Sequence, residues 1–163
     1  MRWFKRKKTD APEQVSKDSE TESSGLPESS LVSMVNPVDA YIQRLDDLLA
    51  DPEISAKTKA IKDTTLQLIV GGEPLLMKKE GVAPMSLSLE RSVNTDVFIR
   101  MSEAAAGDLA MTSSLAEFKK TYKKMVGATG EASYVTIKLH TPLEELRAKG
   151  YFSVELLRIL IDA

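Results

Sequence analysis

From Asn36 onward the chain switches between two hydrophobic periods, and before that point it has neither. Tyr41, Leu45, Leu48 and Leu49 recur at helical spacing behind Asn36-Pro37. Asn suits a helix N-cap, Pro suits the first helical position, and Asp39 is favoured beside the positive dipole end. Asp51-Pro52 repeats the start signal. The spacing of Ile54, Ile61, Leu68 and Ile69 predicts a second helix running to about Val70 and stopped by Gly71-Gly72. Together the two read as an αα-hairpin. Residues 73–81 read as a linker with an apolar middle, Leu75-Leu76-Met77.

The period then shortens to two. Met85, Leu87 and Leu89 alternate with Ser86, Ser88 and Glu90, and Val97, Ile99 and Met101 alternate with Asp96, Phe98 and Arg100. Two such runs with Asn94-Thr95 between them predict a β-hairpin. Residues 102–111 are Ala-rich around Gly107 and fit either a short helix or a loop. Ser114-Leu115-Ala116-Glu117 is a capping box, and Leu115, Phe118, Tyr122 and Met125 form one face of the helix it opens. Gly127 and Gly130 end that helix. Val135, Ile137 and Leu139 predict a third strand. Thr141-Pro142-Leu143-Glu144 has the form of a second capping box, for a short helix closing at Gly150. A last helix starts at Ser153 and carries Leu156, Leu157, Leu160 and Ile161. The expected fold class is α+β: over residues 34–163, a single compact domain with an N-terminal helical hairpin, a small mostly antiparallel sheet and C-terminal helices.

Residues 1–33 are different in kind. The head Met1-Arg2-Trp3-Phe4-Lys5-Arg6-Lys7-Lys8 carries five cations and two aromatics. Residues 9–30 hold six acids (Asp10, Glu13, Asp18, Glu20, Glu22, Glu28) against Lys17, so the formal charge of −2 conceals opposite blocks. The Ser/Glu/Thr/Pro-rich stretch from Thr9 to Ser33 has no aromatic residue. Such a segment buries too little apolar surface to offset its ordering entropy, so it reads as a disordered tether.

The candidate chemistry is thin. There is no cysteine, which excludes disulfides and Cys-based zinc sites. His140 is the only histidine and reads as a surface or strand-edge residue. Asp46-Asp47 and Glu144-Glu145 are neighbours in sequence, so on helices they point apart and do not form acid–base pairs. No nucleophile elbow, Walker A loop or dinucleotide fingerprint is present. Gly127-Ala128-Thr129-Gly130 matches the G-x-x-G of KH modules but reads better as a helix end and turn. No catalytic residue, metal ligand or cofactor is expected.

What remains is cationic. Trp and Phe sit well at headgroup level, and each Lys or Arg near an anionic surface contributes about 1 kcal/mol. Arg2, Trp3, Phe4, Lys5, Arg6, Lys7 and Lys8 therefore form a candidate membrane- or phosphate-binding head. Lys119, Lys120, Lys123 and Lys124 form a second candidate patch on the polar face of their helix. The same residues also suit nucleic acid, whose phosphates they would neutralise and on whose bases the rings would stack.

The basic head Lys5-Arg6-Lys7-Lys8, the polar tether and the mixed domain from about Asn36 resemble in layout the small matrix proteins of rhabdoviruses. The chain lacks the P-P-x-Y and P-[ST]-A-P motifs of that family's animal-virus members. The resemblance implies a structural virion protein that self-associates and bridges a membrane to a nucleoprotein. The expected function is accordingly non-enzymatic: docking on an anionic membrane through the head, with the domain contacting itself or a nucleoprotein. The alternative is a nucleic-acid-binding accessory protein using the head and the Lys119–Lys124 stripe. The expected location is cytoplasmic and peripheral to a membrane, in the virion for a viral protein, with the nucleus open through the basic head.

Overall fold

Asp51 caps the second helix from its side chain, accepting the Glu53 and Ile54 N–H groups at 3.0 and 3.3 Å, with Pro52 in the first helical position. The computed structural model describes residues 36–128 and 130–162. The basic head, the tether and the boundary between residues 33 and 34 lie outside them.

The described chain runs α1 (Pro37–Ala50), α2 (Pro52–Ala60), β1 (Thr64–Val70), β2 (Glu73–Lys79), β3 (Ser86–Ser88), β4 (Val97–Met101), α3 (Glu103–Ala110), α4 (Leu115–Met125), β5 (Val135–Leu139), α5 (Leu143–Lys149), a 3₁₀ turn (Tyr151–Ser153) and α6 (Glu155–Ile161). Its five strands form one sheet in the order β3-β2-β1-β4-β5. Of the pairings between these strands only β1–β4 is parallel; the other three are antiparallel. The fold is thus α+β with a mostly antiparallel sheet.

Three expectations need correction. The second helix stops at Ala60, and residues 64–70 are the central strand. Leu66-Gln67-Leu68-Ile69-Val70 is buried on both faces, so it shows no alternation, and a short apolar run fits either helix or strand. Gly71 and Gly72, at φ +58° and +91°, are the two-residue turn of a β1–β2 hairpin in which Val70 faces Glu73. The supposed linker is therefore strand β2. Its Pro74 and terminal lysines masked the period, although Leu75 and Met77 both point into the core.

The expected hairpin between residues 85–89 and 97–101 does not form either. Both strands exist, but β3 pairs with β2 while β4 lies parallel to β1. In this register Val97, Ile99 and Met101 stand beside Leu66, Leu68 and Val70, which extends one continuous buried face. The connection from β3 to β4 crosses the opposite face, where Gln67 pins it. Gln67 Nε2 donates to the Glu90 carbonyl at 3.1 Å and to the Leu75 carbonyl at 3.2 Å, and its Oε1 accepts the Ser92 N–H at 2.7 Å.

The core lies between the inner sheet face and the helices. Tyr41 and Leu45 of α1, Phe118 and Tyr122 of α4, and Leu156, Leu157 and Leu160 of α6 pack over Leu66, Leu68, Ile99 and Val135. The rings of Tyr41, Phe118 and Tyr122 run nearly parallel at 6.4 and 6.1 Å between successive centroids. Gly107 is explained by the start of α1, since a Cβ there would meet Pro37 at 3.4 Å. On the outer face stand Thr65, Gln67 and Ile69 of β1, Phe98 and Arg100 of β4, and Thr136 and Lys138 of β5.

Candidate functional site

The lysine stripe lies on a helix whose two faces are cleanly divided. Ser114 Oγ accepts the Glu117 N–H at 3.2 Å, while Glu117 Oε2 reaches back to the N–H and hydroxyl of Ser113 at 2.8 and 2.7 Å. This fixes the rotation of α4. Phe118, Tyr122 and Met125 are buried, and the Tyr122 hydroxyl donates to the Leu160 carbonyl at 2.8 Å. Lys120, Lys123 and Lys124 are exposed and Lys119 is half-buried. At 3.6 residues per turn the four lie within an arc of about 140°. Among the described residues none of the four is in an ion pair. Lys123 and Lys124 also occupy the last turn, where cations complement the helix dipole. The seven candidate residues of the head lie outside the described residues.

Elsewhere the structure assembles a polar cluster around Asp96. Its Oδ1 accepts from Lys149 Nζ at 2.7 Å and from the Thr141 hydroxyl at 2.9 Å. Its Oδ2 accepts from the Tyr151 hydroxyl at 3.0 Å and the Thr65 N–H at 3.1 Å. Its backbone carbonyl accepts the N–H groups of His140 and Thr141. Burial acts to raise the carboxyl's pKa, but the hydrogen bonds from Lys149, Thr141, Thr65 and Tyr151 outweigh it and hold it below the usual value. Burial, reinforced by the Asp96 charge, pushes the Tyr151 hydroxyl far up. With four donors directed at it, this carboxylate, just ahead of β4, ties together β1, the segment after β5, α5 and the 3₁₀ turn.

Thr141 is drawn into this cluster instead of capping α5. Pro142 is the N-cap residue, with no side-chain cap bond, so the second capping box does not form. A shallow cleft of about 510 Å³ opens beside the cluster, lined by Asp63, Asn94, Asp96, His140 and Lys149. His140 is exposed, with Nδ1 3.1 Å from the Thr95 hydroxyl and its ring 6.3 Å from that of Phe98. Among the described residues, no group of three His, Asp or Glu side chains could hold a metal ion, and no helix is long and apolar enough to cross a membrane. Asp46-Asp47 and Glu144-Glu145 are exposed. Gly127 and Gly130 sit in a turn that leads into β5, which is not the G-x-x-G setting of a KH module.

No family model matches the chain, and no curated protein does. Among solved structures it is similar to a UbiJ-SCP2 ubiquinone synthesis protein, with a TM-score of 0.40 and 9% identity over 69% of this chain and 78% of that one. A likeness this slight transfers no function. The resemblance to rhabdovirus matrix proteins is withdrawn: no family model and no curated protein matches the chain, and the solved structure found is not a viral matrix protein. A basic head ahead of a polar segment is a layout that unrelated chains reach for simple electrostatic reasons. The virion location and the bridge to a nucleoprotein rested on that resemblance and are withdrawn with it.

Sequence reasoning found the lysine stripe because a helix places residues four apart on one face. It missed the Asp96 cluster, whose partners lie 31, 45, 53 and 55 residues away. No local pattern marks such a set.

Proposed function

We propose that this chain is a non-enzymatic peripheral protein that docks on an anionic membrane surface through its basic aromatic head and the lysine face of α4. The observation that carries this reading is the lysine face itself: four cations on one rigid helix, outside any ion pair among the described residues. At about 1 kcal/mol per cation they supply up to about 4 kcal/mol, near three orders of magnitude in partitioning. The head supplies five further cations, and Trp3 and Phe4 can enter the headgroup layer. Two modest attachments on one chain reinforce each other where the intervening segment spans both.

Flotation with anionic and neutral vesicles tests this. The full chain should float only with anionic vesicles, less at high salt, and binding should fall with the head neutralised or with Lys119, Lys120, Lys123 and Lys124 changed to Gln. Flotation indifferent to both sets of changes overturns the proposal. Loss of vesicle binding to competing single-stranded RNA would favour nucleic acid as the target of these cations.

A further inference from the structure

The outer face of the β4–β5 pair has a composition that solvent exposure alone does not call for. In β4 it presents Phe98 and Arg100, and across from them in β5 Lys138 and Thr136, with Phe98 directly opposite Lys138 and Arg100 opposite Thr136. The alternation continues beyond both ends of β5. His140 brings its ring to 6.3 Å from Phe98, at 30° between planes. Tyr134, fixed by its N–H to Ser102 Oγ at 3.2 Å, lines a cleft of about 380 Å³ with Arg100, Ile69 and Glu103. Arg100, Thr136, Lys138 and His140 are exposed; Phe98 and Tyr134 are half-buried. Neither Arg100 nor Lys138 is in an ion pair among the described residues. The row from Tyr134 to His140 is roughly 20 Å long at 3.4 Å per residue.

We infer that this face binds single-stranded nucleic acid, with bases stacked on Phe98 and Tyr134 and the backbone held by Arg100 and Lys138. Rings standing on a sheet and flanked by cations suit this ligand. An unpaired base offers a flat π-face that a ring can cover, and the phosphate beside it needs a cation within reach. A rigid strand pair sets the spacing of rings and charges in advance, which lowers the ordering cost of binding. A duplex hides its base faces, so the site should discriminate against it. A lipid headgroup would satisfy the cations, but it offers no flat face to rings that are held half-buried against the sheet and cannot enter a headgroup layer as free side chains do. The site lies on the sheet and shares no residue with the lysine face of α4 or with the head, so the two proposals stand or fall separately.

The test uses the full chain and a fluorescein-labelled single-stranded RNA of about ten nucleotides, within the range one small domain covers. Phe98→Ala and Tyr134→Ala should each weaken binding by about tenfold, and Phe98→Trp should retain it. Arg100→Gln with Lys138→Gln should flatten the slope of log K against log salt by about 1.4, at about 0.7 for each single-strand phosphate left without its cation. The exposed cation changes keep the test valid where a ring change disturbs packing. Vesicle flotation should be unchanged in all four variants. No RNA binding overturns the inference, as does equal affinity for duplex, or binding that depends on Lys119–Lys124 and ignores the sheet variants.

Discussion

The Tyr151 hydroxyl donates to Asp96 Oδ2 across 3.0 Å and 55 residues of sequence. This bond closes the C-terminal third of the chain onto the start of β4. Tyr151 is fully buried and Asp96 only 8% exposed, so neither loses its partner to water without cost. Tyr151→Phe should destabilise the domain by about 1–2 kcal/mol, and Asp96→Ala, which strands four donors, by about 3 kcal/mol or more. Urea unfolding at neutral pH measures both, and equal values near zero would remove Asp96 as an organising group.

The same carboxylate sets a pH dependence. Its folded pKa is depressed, so its contribution is fully present above the unfolded value of 3.8 and is lost as pH falls through the folded pKa. Stability should therefore hold steady above about pH 5 and decline below about pH 4, and the decline should be shallower in Asp96→Asn. Parallel acid limbs in the two proteins would contradict this.

Glycines at two turns should respond differently to Ala. At Gly150, φ is +103° and a new Cβ would lie 2.7 Å from Ile61 Cγ2, so Gly150→Ala combines a left-handed backbone with a clash against a core residue. A cost of about 3 kcal/mol is expected. At Gly72, φ is +91° but no atom lies within 4 Å of the added carbon, so only the backbone term of about 1–2 kcal/mol remains. Thermal or urea unfolding of the two variants should rank Gly150→Ala below Gly72→Ala.

Gln67 should act as the clasp of the β3–β4 crossover. Gln67→Leu keeps the bulk but leaves the Ser92 N–H and the Glu90 carbonyl without this partner. Amide exchange at Ser92 should accelerate by about tenfold or more, while the β1 amides inside the sheet change little. Uniform acceleration across the sheet would show that Gln67 supports global stability instead.

The parts of this fold that could be read from sequence are those whose signals are local. The four apolar positions of α4 and the four lysines beside them follow from helical spacing alone, and β5 and α6 follow from equally local periods. The β1–β2 hairpin was hidden because a strand buried on both faces loses its alternation, and because Gly71-Gly72 serves equally well as a helix stop or a turn. The parallel seat of β4 beside β1 depends on distant pairings, such as Leu66 with Val97. The outer-face grouping of Phe98, Arg100, Lys138 and Tyr134 depends in turn on β4 meeting β5, so it becomes visible only once the sheet is assembled.

Trp3 is the only tryptophan in the chain, and it stands in the segment proposed to touch the membrane. Its fluorescence is therefore the most direct probe of the proposed function. Titration of the full chain with anionic vesicles should shift the emission to shorter wavelength, and brominated lipids should quench it. Neutral vesicles should do neither, and high salt should reverse the shift. An emission spectrum unchanged by anionic vesicles at low salt would contradict the membrane-docking account.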